Sequence, residues 1–260
     1  MCLILIARGA HPEFPLVVAG NRDEHYRRPT AAAAFWQDYP HVLAGRDLEC
    51  LGTWLGVTRD GRFAALTNFR NPRARKTDAP SRGNLVSSYL ESKVEPRAYI
   101  EKIAPSAARY NGFNLLLGDA NALLCYSSHT GAVQELRSGI YGLSNHLLDT
   151  PWPKVARGKQ RLRDLMARAP NAEALLDMLY DSEPAREEEL PDTGVGPGVE
   201  RTLSPALIVS DLYGTRASTA VLFGRNGEVS FTERTILPGG RIGATVHLSF
   251  SLDRSAVRAA

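Results

Sequence analysis

Met1-Cys2-Leu3-Ile4-Leu5-Ile6-Ala7, followed by Leu16-Val17-Val18-Ala19-Gly20-Asn21-Arg22-Asp23-Glu24, is the stretch on which the fold turns. Residues 2 to 7 form a continuous apolar run ended by Arg8, the pattern of a strand buried on both faces. Gly9 to Pro15 holds glycine, histidine and two prolines and reads as a turn. Leu16 to Ala19 is a second apolar run, and the two runs should pair as a hairpin. The far end of the second strand then returns beside the start of the first. That geometry places Asn21, Arg22 and Asp23 next to Cys2.

Cys2 has two readings. Initiator methionine is normally excised when the second residue is small, and cysteine qualifies. Excision leaves one residue with both a thiol and a free α-amine, and an N-terminal amine can act as base to its own nucleophile. Unperturbed, the amine titrates at about 7.7–8.0 and the thiol at about 8.5, so both serve near neutral pH. In the other reading Cys2 is a small apolar residue opening a buried strand.

Composition narrows the classes. The 260 residues are 43% hydrophobic and 23% charged, which suits a soluble globular protein with a sizeable core. A net charge of +3 is too small to argue for nucleic acid. Cys2, Cys50 and Cys125 are odd in number and widely spaced, unlike a disulfide framework or a zinc site. The six histidines show no metal-ligand spacing. The apolar run at the start is too short for a signal peptide, and no run reaches the roughly 18 residues of a membrane span. A cytoplasmic protein without stable membrane insertion is the expectation.

Along the chain, residues 27 to 40 read as irregular, with Leu43 to Arg46 a short strand. Thr53 to Val57 and Phe63 to Thr67 are strands joined through Asp60-Gly61, and the second delivers Asn68 at its end. A helix is predicted from Ser81, which would cap it, and another from Pro96 to about Arg109. Phe113–Gly118, Ala122–Ser127, Val133–Leu136 and Ile140–Leu143 read as strands, the last ending at Ser144-Asn145-His146. Residues 154 to 168 form a basic helix and 172 to 180 another. Residues 191 to 205 are a Gly/Pro loop whose Gly194-Val-Gly196-Pro-Gly198 lacks the setting of a dinucleotide fingerprint. Four strands follow: 206–210, 218–223, 228–232 and 245–250. Strands, helices, strands, helices, strands without regular alternation exclude a doubly wound parallel sheet. Two antiparallel sheets packed together, covered outside by helices, fit this order in one domain of residues 1–260.

Cys2 with Asn21-Arg22-Asp23-Glu24 resembles the NRDE family, also called the transport and Golgi organisation protein 2 family. Gly45-Arg46-Asp47, Gly52-Thr53-Trp54-Leu55-Gly56-Val57, Leu66-Thr67-Asn68 and Pro80-Ser81-Arg82-Gly83 extend the resemblance. So do Gly142-Leu143-Ser144-Asn145 and Tyr213-Gly214-Thr215-Arg216. That family looks like a branch of the N-terminal-nucleophile (Ntn) hydrolases, near the cysteine-dependent bile-salt hydrolase and penicillin V acylase group. The resemblance implies an α+β fold, a four-layer αββα sandwich. The hydrolase group carries Arg-Asn-x-Asp after its second strand, whereas this chain has Asn21-Arg22-Asp23.

The candidate site is Cys2, Arg22, Asp23, Asn68, Asn145 and Arg216. Cys2 is the nucleophile. Arg22 favours thiolate. Asp23 orients the α-ammonium, or else caps a strand end or pairs with Arg22. Asn68 and Asn145 are oxyanion donors on the family's pattern, or otherwise turn formers. Arg216 polarises Cys2 or holds a substrate carboxylate; its plain alternative is a surface ion pair. The implied activity is cysteine amidohydrolysis of a non-peptide C–N bond in a small acylated molecule, with no cofactor.

A different class remains open: a non-catalytic carrier, since the family resembled has been linked to haem trafficking and to lipid or acyl-coenzyme A homeostasis. The carrier would meet anionic arms with Lys154, Arg157, Lys159, Arg161 and Arg163, or with Arg70, Arg73, Arg75 and Lys76, clusters that otherwise read as solvated faces. Cys2 or a histidine would then ligate haem iron. A peripheral Golgi or membrane role ranks last, because no lipid-anchor motif is present.

Overall fold

The computed structural model describes residues 2–253. The expected loss of Met1 falls on a residue outside that range. The opening hairpin forms as its two apolar runs dictate: β1 (Cys2–Arg8) pairs antiparallel with β2 (Leu16–His25), with Cys2 opposite Arg22 and Arg8 opposite Leu16. β2 does not stop at Ala19 but runs through the Asn21-Arg22-Asp23-Glu24 tetrad.

The hairpin belongs to a six-stranded antiparallel sheet. Its other strands are β10 (Gly139–Leu143), β11 (Tyr213–Phe223), β12 (Glu228–Ile236) and β13 (Ile242–Ser251), in the order β10-β1-β2-β11-β12-β13. A second antiparallel sheet takes the intervening strands in sequence order. These are β3 (Thr30–Phe35), β4 (Val42–Asp47), β5 (Leu55–Thr58), β6 (Phe63–Asn68), β7 (Phe113–Gly118), β8 (Leu123–Ser127) and β9 (Val133–Leu136).

Strand alternation sorts the core into three seams. Ile4, Ile6, Val18, Leu43, Val57, Phe63, Leu116 and Phe231 pack between the sheets. Leu3, Leu5, Val17 and Ala19 take the opposite face, against α3 (Pro153–Met166) and α4 (Ala172–Leu179) through Val155, Leu162, Leu175 and Leu179. Ala64, Leu66, Leu115 and Leu117 pack outward on α1 (Gly83–Glu91) and α2 (Pro96–Ile103) through Leu85, Leu90 and Ile100. Both faces of each central strand are therefore buried, which is why those strands read as unbroken apolar runs. The architecture is the αββα sandwich expected from the sequence.

Several local expectations change. Residues 30 to 35 are β3, an edge strand whose register with β4 shifts between Ala31 and Ala34. Its alanines favour strands weakly and only Ala33 is buried, so no alternating pattern marked it. α1 begins at Gly83 after Arg82, with no side-chain cap from Ser81. The second helix leaves the α form at Ile103 and continues as a 3-10 segment over Ala104–Arg109. Pro105, without an N–H, cannot extend the α ladder. Residues 206 to 210 make only an isolated bridge, Val209 to Gly214, and β11 instead begins at Tyr213. The Gly/Pro loop contains a short helix, α5 (Pro197–Thr202), with proline in its first turn.

Candidate active site

A cleft of about 620 Å³ opens where the C-terminal ends of β2, β4 and β6 converge, and Cys2, Arg22, Asp23, Asn68 and Arg216 all line it. Cys2 lies almost closed off, 7% exposed. Burial pushes its thiol up from the ordinary value, and the charge of Asp23 adds to that. The backbone N–H of Asp23 and the guanidinium of Arg22 act in the opposite direction. A resting neutral thiol with a local proton acceptor suits this environment better than a standing thiolate.

β2 splits its tetrad by parity. Arg22 shares a face with Cys2 and reaches across to Asp47 of β4 at 3.3 Å. Asp47 also binds Arg28 and accepts the backbone N–H groups of Glu49 and Cys50, so its carboxyl sits below the usual carboxylate range although burial opposes this. Asn21 and Asp23 take the helix side. Asn21 is fully buried, donating to Leu179 O and Ala206 O at 3.1 and 2.8 Å and accepting from Ser218 Oγ at 2.7 Å. It fastens the sheet to the α4 layer. Asp23 accepts from Thr215 Oγ1 at 2.7 Å, and burial raises its carboxyl pKa while Lys154 opposes the rise.

The two asparagines are brought together in series. Asn68 ends β6 and lines the cleft. Asn145 is completely buried and does not line it; its Nδ2 donates to Asn68 O at 2.9 Å. Arg70 N donates to Asn145 O at 2.7 Å, and Ser144 Oγ to Cys2 O at 3.1 Å. The Ser144-Asn145 turn therefore clamps the Cys2 backbone to the end of β6. Arg216 sits at a bulge in β11, between Thr215 and Ala217, which re-aims its side chain. It donates to His25 O and Arg28 O at 2.9 and 3.0 Å. It makes no surface ion pair among the described residues.

The basic clusters divide. Lys154, expected on a solvated face, is 3% exposed and donates to Leu203 O at 2.9 Å. Burial lowers its pKa to about 8, with Asp23 the main opposing influence. The side chain of Arg70 is 7% exposed, in an ion pair with Glu200 of α5 and over the Trp152 ring at 4.7 Å. Lys159 pairs with Asp149 at 2.7 Å. Only Arg75 of these clusters lines the cleft. His146 packs against Phe69 and Trp152 rather than lining it.

Sequence reasoning passed over Glu233 and Arg82 as cleft residues, and it gave Lys154 only a place in a basic cluster. Glu233 lines the cleft, accepts from Ala33 N at 2.8 Å, and has its pKa raised by burial. Its signal was available: it shares strand parity with the buried Val229 and Phe231 of β12. Lys154 carried no such signal, since helix periodicity alone cannot mark a buried ammonium.

The layers and the cleft define an Ntn-hydrolase-like fold. The mutant C2A conjugated bile acid hydrolase from Clostridium perfringens superposes with a TM-score of 0.53 at 9% identity, over 98% of both chains. The chain belongs to the transport and Golgi organisation 2 family, whose family model matches residues 1–238. It is 36% identical over 259 residues to the Transport and Golgi organization 2 homolog of Mus musculus, covering 91% of this chain and 94% of that one. With the Transport and Golgi organization protein 2 of Drosophila melanogaster it shares 27% identity, over 91% of this chain and 92% of that one. Among the described residues no helix is long and apolar enough to cross a membrane.

Proposed function

We propose that the protein is a cysteine amidohydrolase that cleaves a non-peptide C–N bond of a small acylated molecule. The observation that carries this is Cys2 in the lining of a polar cleft, paired across the ladder with Arg22, with Asp23 and Asn68 in the same lining. After loss of Met1, the Cys2 amine takes the thiol proton as sulfur attacks the amide carbonyl carbon. The Asn68 amide donates to the developing oxyanion, with Asn145 holding the strand end that presents it. The intermediate collapses by breaking the C–N bond, and the α-ammonium returns the proton to the leaving amine. Water, deprotonated by the same amine, then attacks the thioester, releasing the carboxylic acid and restoring the thiol. Asp23, itself held by Thr215, orients the ammonium.

The carrier reading asks the cleft to hold a large apolar body. Its apolar lining is Trp54, Leu66, Pro80 and a few alanines, set among six arginines and five carboxylates. No histidine lines it. The hydrolase reading therefore takes precedence.

Intact mass of the purified protein tests the first requirement, with Met1 absent. Incubation with acyl amides should add one acyl group to Cys2 and release amine, and Cys2→Ala should do neither. Protein produced with methionine aminopeptidase inhibited should be inactive. Full turnover by that form would overturn the amine-base mechanism.

A further inference from the structure

Six arginines line the cleft, and their partners set them apart. Arg22 pairs with Asp47 and Glu24, Arg28 with Asp47 and Glu49, and Arg46 with Asp38 at 2.6 Å. Arg46 also lies over the Trp36 ring at 4.3 Å. Arg216 spends its Nη1 on two backbone carbonyls and turns Nη2 to Thr30 Oγ1. Arg75 is exposed at the mouth, on the loop between β6 and α1.

Arg82 differs from all of these. It is half-buried in the wall, Nη1 donates to Gly112 O at 3.0 Å, and no carboxylate pairs with it among the described residues. Among the described residues its Nε and Nη2 have no hydrogen-bond partner. Those two N–H groups form one edge of the guanidinium, the parallel pair of donors that a carboxylate accepts as a fork. Arg82 lines the same cleft as Cys2, and the two are near enough for a charge on the Cys2 sulfur to act on the guanidinium.

The geometry points to Arg82 as the receptor for a substrate carboxylate, and to N-acyl α-amino acids as the substrate class. This inference rests on the hydrolase reading above. In an N-acyl α-amino acid the carboxylate lies two bonds from the amide nitrogen, so one guanidinium near the sulfur holds it while the carbonyl meets Cys2. A cleft in which the other five arginines are already paired, spent on carbonyls or open to bulk water has a single place for a compact monoanion. The amine half occupies that place, and the acyl half lies toward Trp54 and Leu66.

The test is binding to the Cys2→Ala chain, which cannot turn over, by isothermal titration calorimetry. The probes are N-hexanoylglycine and the neutral N-hexanoylglycinamide. The acid should bind roughly 10- to 100-fold more tightly than the amide, the range for charged hydrogen bonds. Arg82→Gln should erase that preference, and Arg82→Lys, which keeps the charge but not the fork, should leave part of it. A thermal unfolding midpoint for each variant shows that it is folded. Equal affinities in the Arg82 protein, binding of neither probe, or a preference that survives Arg82→Gln would each overturn the proposal. Turnover by the Cys2 protein separates the two readings. Tight binding of the acid without hydrolysis keeps the carboxylate receptor and removes the amidohydrolase; hydrolysis of both probes at equal efficiency does the reverse.

Discussion

Cys2 and Arg22 stand directly opposite each other in the β1–β2 ladder, on the face of the sheet that meets the cleft. The guanidinium lowers the thiol pKa against the upward push of burial. Arg22→Leu should therefore slow iodoacetamide alkylation of Cys2 at neutral pH, by about twofold to threefold. A Cys50→Ser background removes the other accessible thiol, while Cys125 stays silent because burial raises it to about 12. An unchanged rate, read by peptide mass, would mean that Arg22 serves only its ion pair with Asp47.

Lys154 gives the stability a pH dependence. Its folded pKa of about 8 lies below the ordinary lysine value of 10.5, so the folded chain holds fewer protons than the unfolded one between these limits. The cost of burying the ammonium is fully present below pH 8 and is relieved as pH rises toward 10.5. Buried thiols such as Cys125 act in the opposite sense above about pH 9, so the readout is the difference between the unaltered protein and Lys154→Met. The unfolding free energy of the unaltered protein should climb across that window, relative to Lys154→Met, by an amount on the order of 3 kcal/mol. Parallel profiles for the two proteins, by urea titration at several pH values, would refute the assignment.

Gly20 is fixed by close approach. A Cβ there would sit 2.7 Å from Leu3 O and 3.2 Å from the Trp54 ring. The nearer atom is backbone of the paired strand and cannot swing aside. Gly20→Ala should cost about 1–3 kcal/mol, seen as a lower denaturation midpoint. An unaltered midpoint would show that the hairpin can spread at no cost.

The Arg70–Glu200 pair ties α5 to the end of β6, and Glu200 also accepts from Thr193 N at 2.9 Å. Glu200→Gln leaves Arg70 charged and buried without its counter-ion, a loss of about 3–5 kcal/mol. Residues 191 to 198 should then become the first site of limited proteolysis. Equal cleavage rates in both proteins would separate that loop from the ion pair.

What the sequence disclosed follows from which interactions are local. The β1–β2 hairpin was readable because strands buried on both faces leave unbroken apolar runs, and the family motifs carried Cys2, Arg22, Asp23 and Asn68 to one cleft. Asn145 reached the same neighbourhood but spends its amide on the Asn68 carbonyl, a distinction set by the tertiary fold and not by local sequence. β3 stayed hidden because an alanine run on a sheet rim has neither apolar contrast nor alternation. Lys154 and Arg70 were misplaced on the surface because the burial of a charge depends on distant partners, here Leu203 O, Asp23 and Glu200.

The order of strands bears on how the molecule is made. The hairpin holding Cys2 is synthesised well before its two lateral neighbours, β10 and β11, which lie more than a hundred residues later. During most of translation the leading ribbon has unpaired flanks, while the consecutive strands of the other sheet can already zip together. The sheet that carries Cys2 is thus closed sideways only when strands from the second half of the chain arrive, so its cleft is completed after the neighbouring sheet has formed.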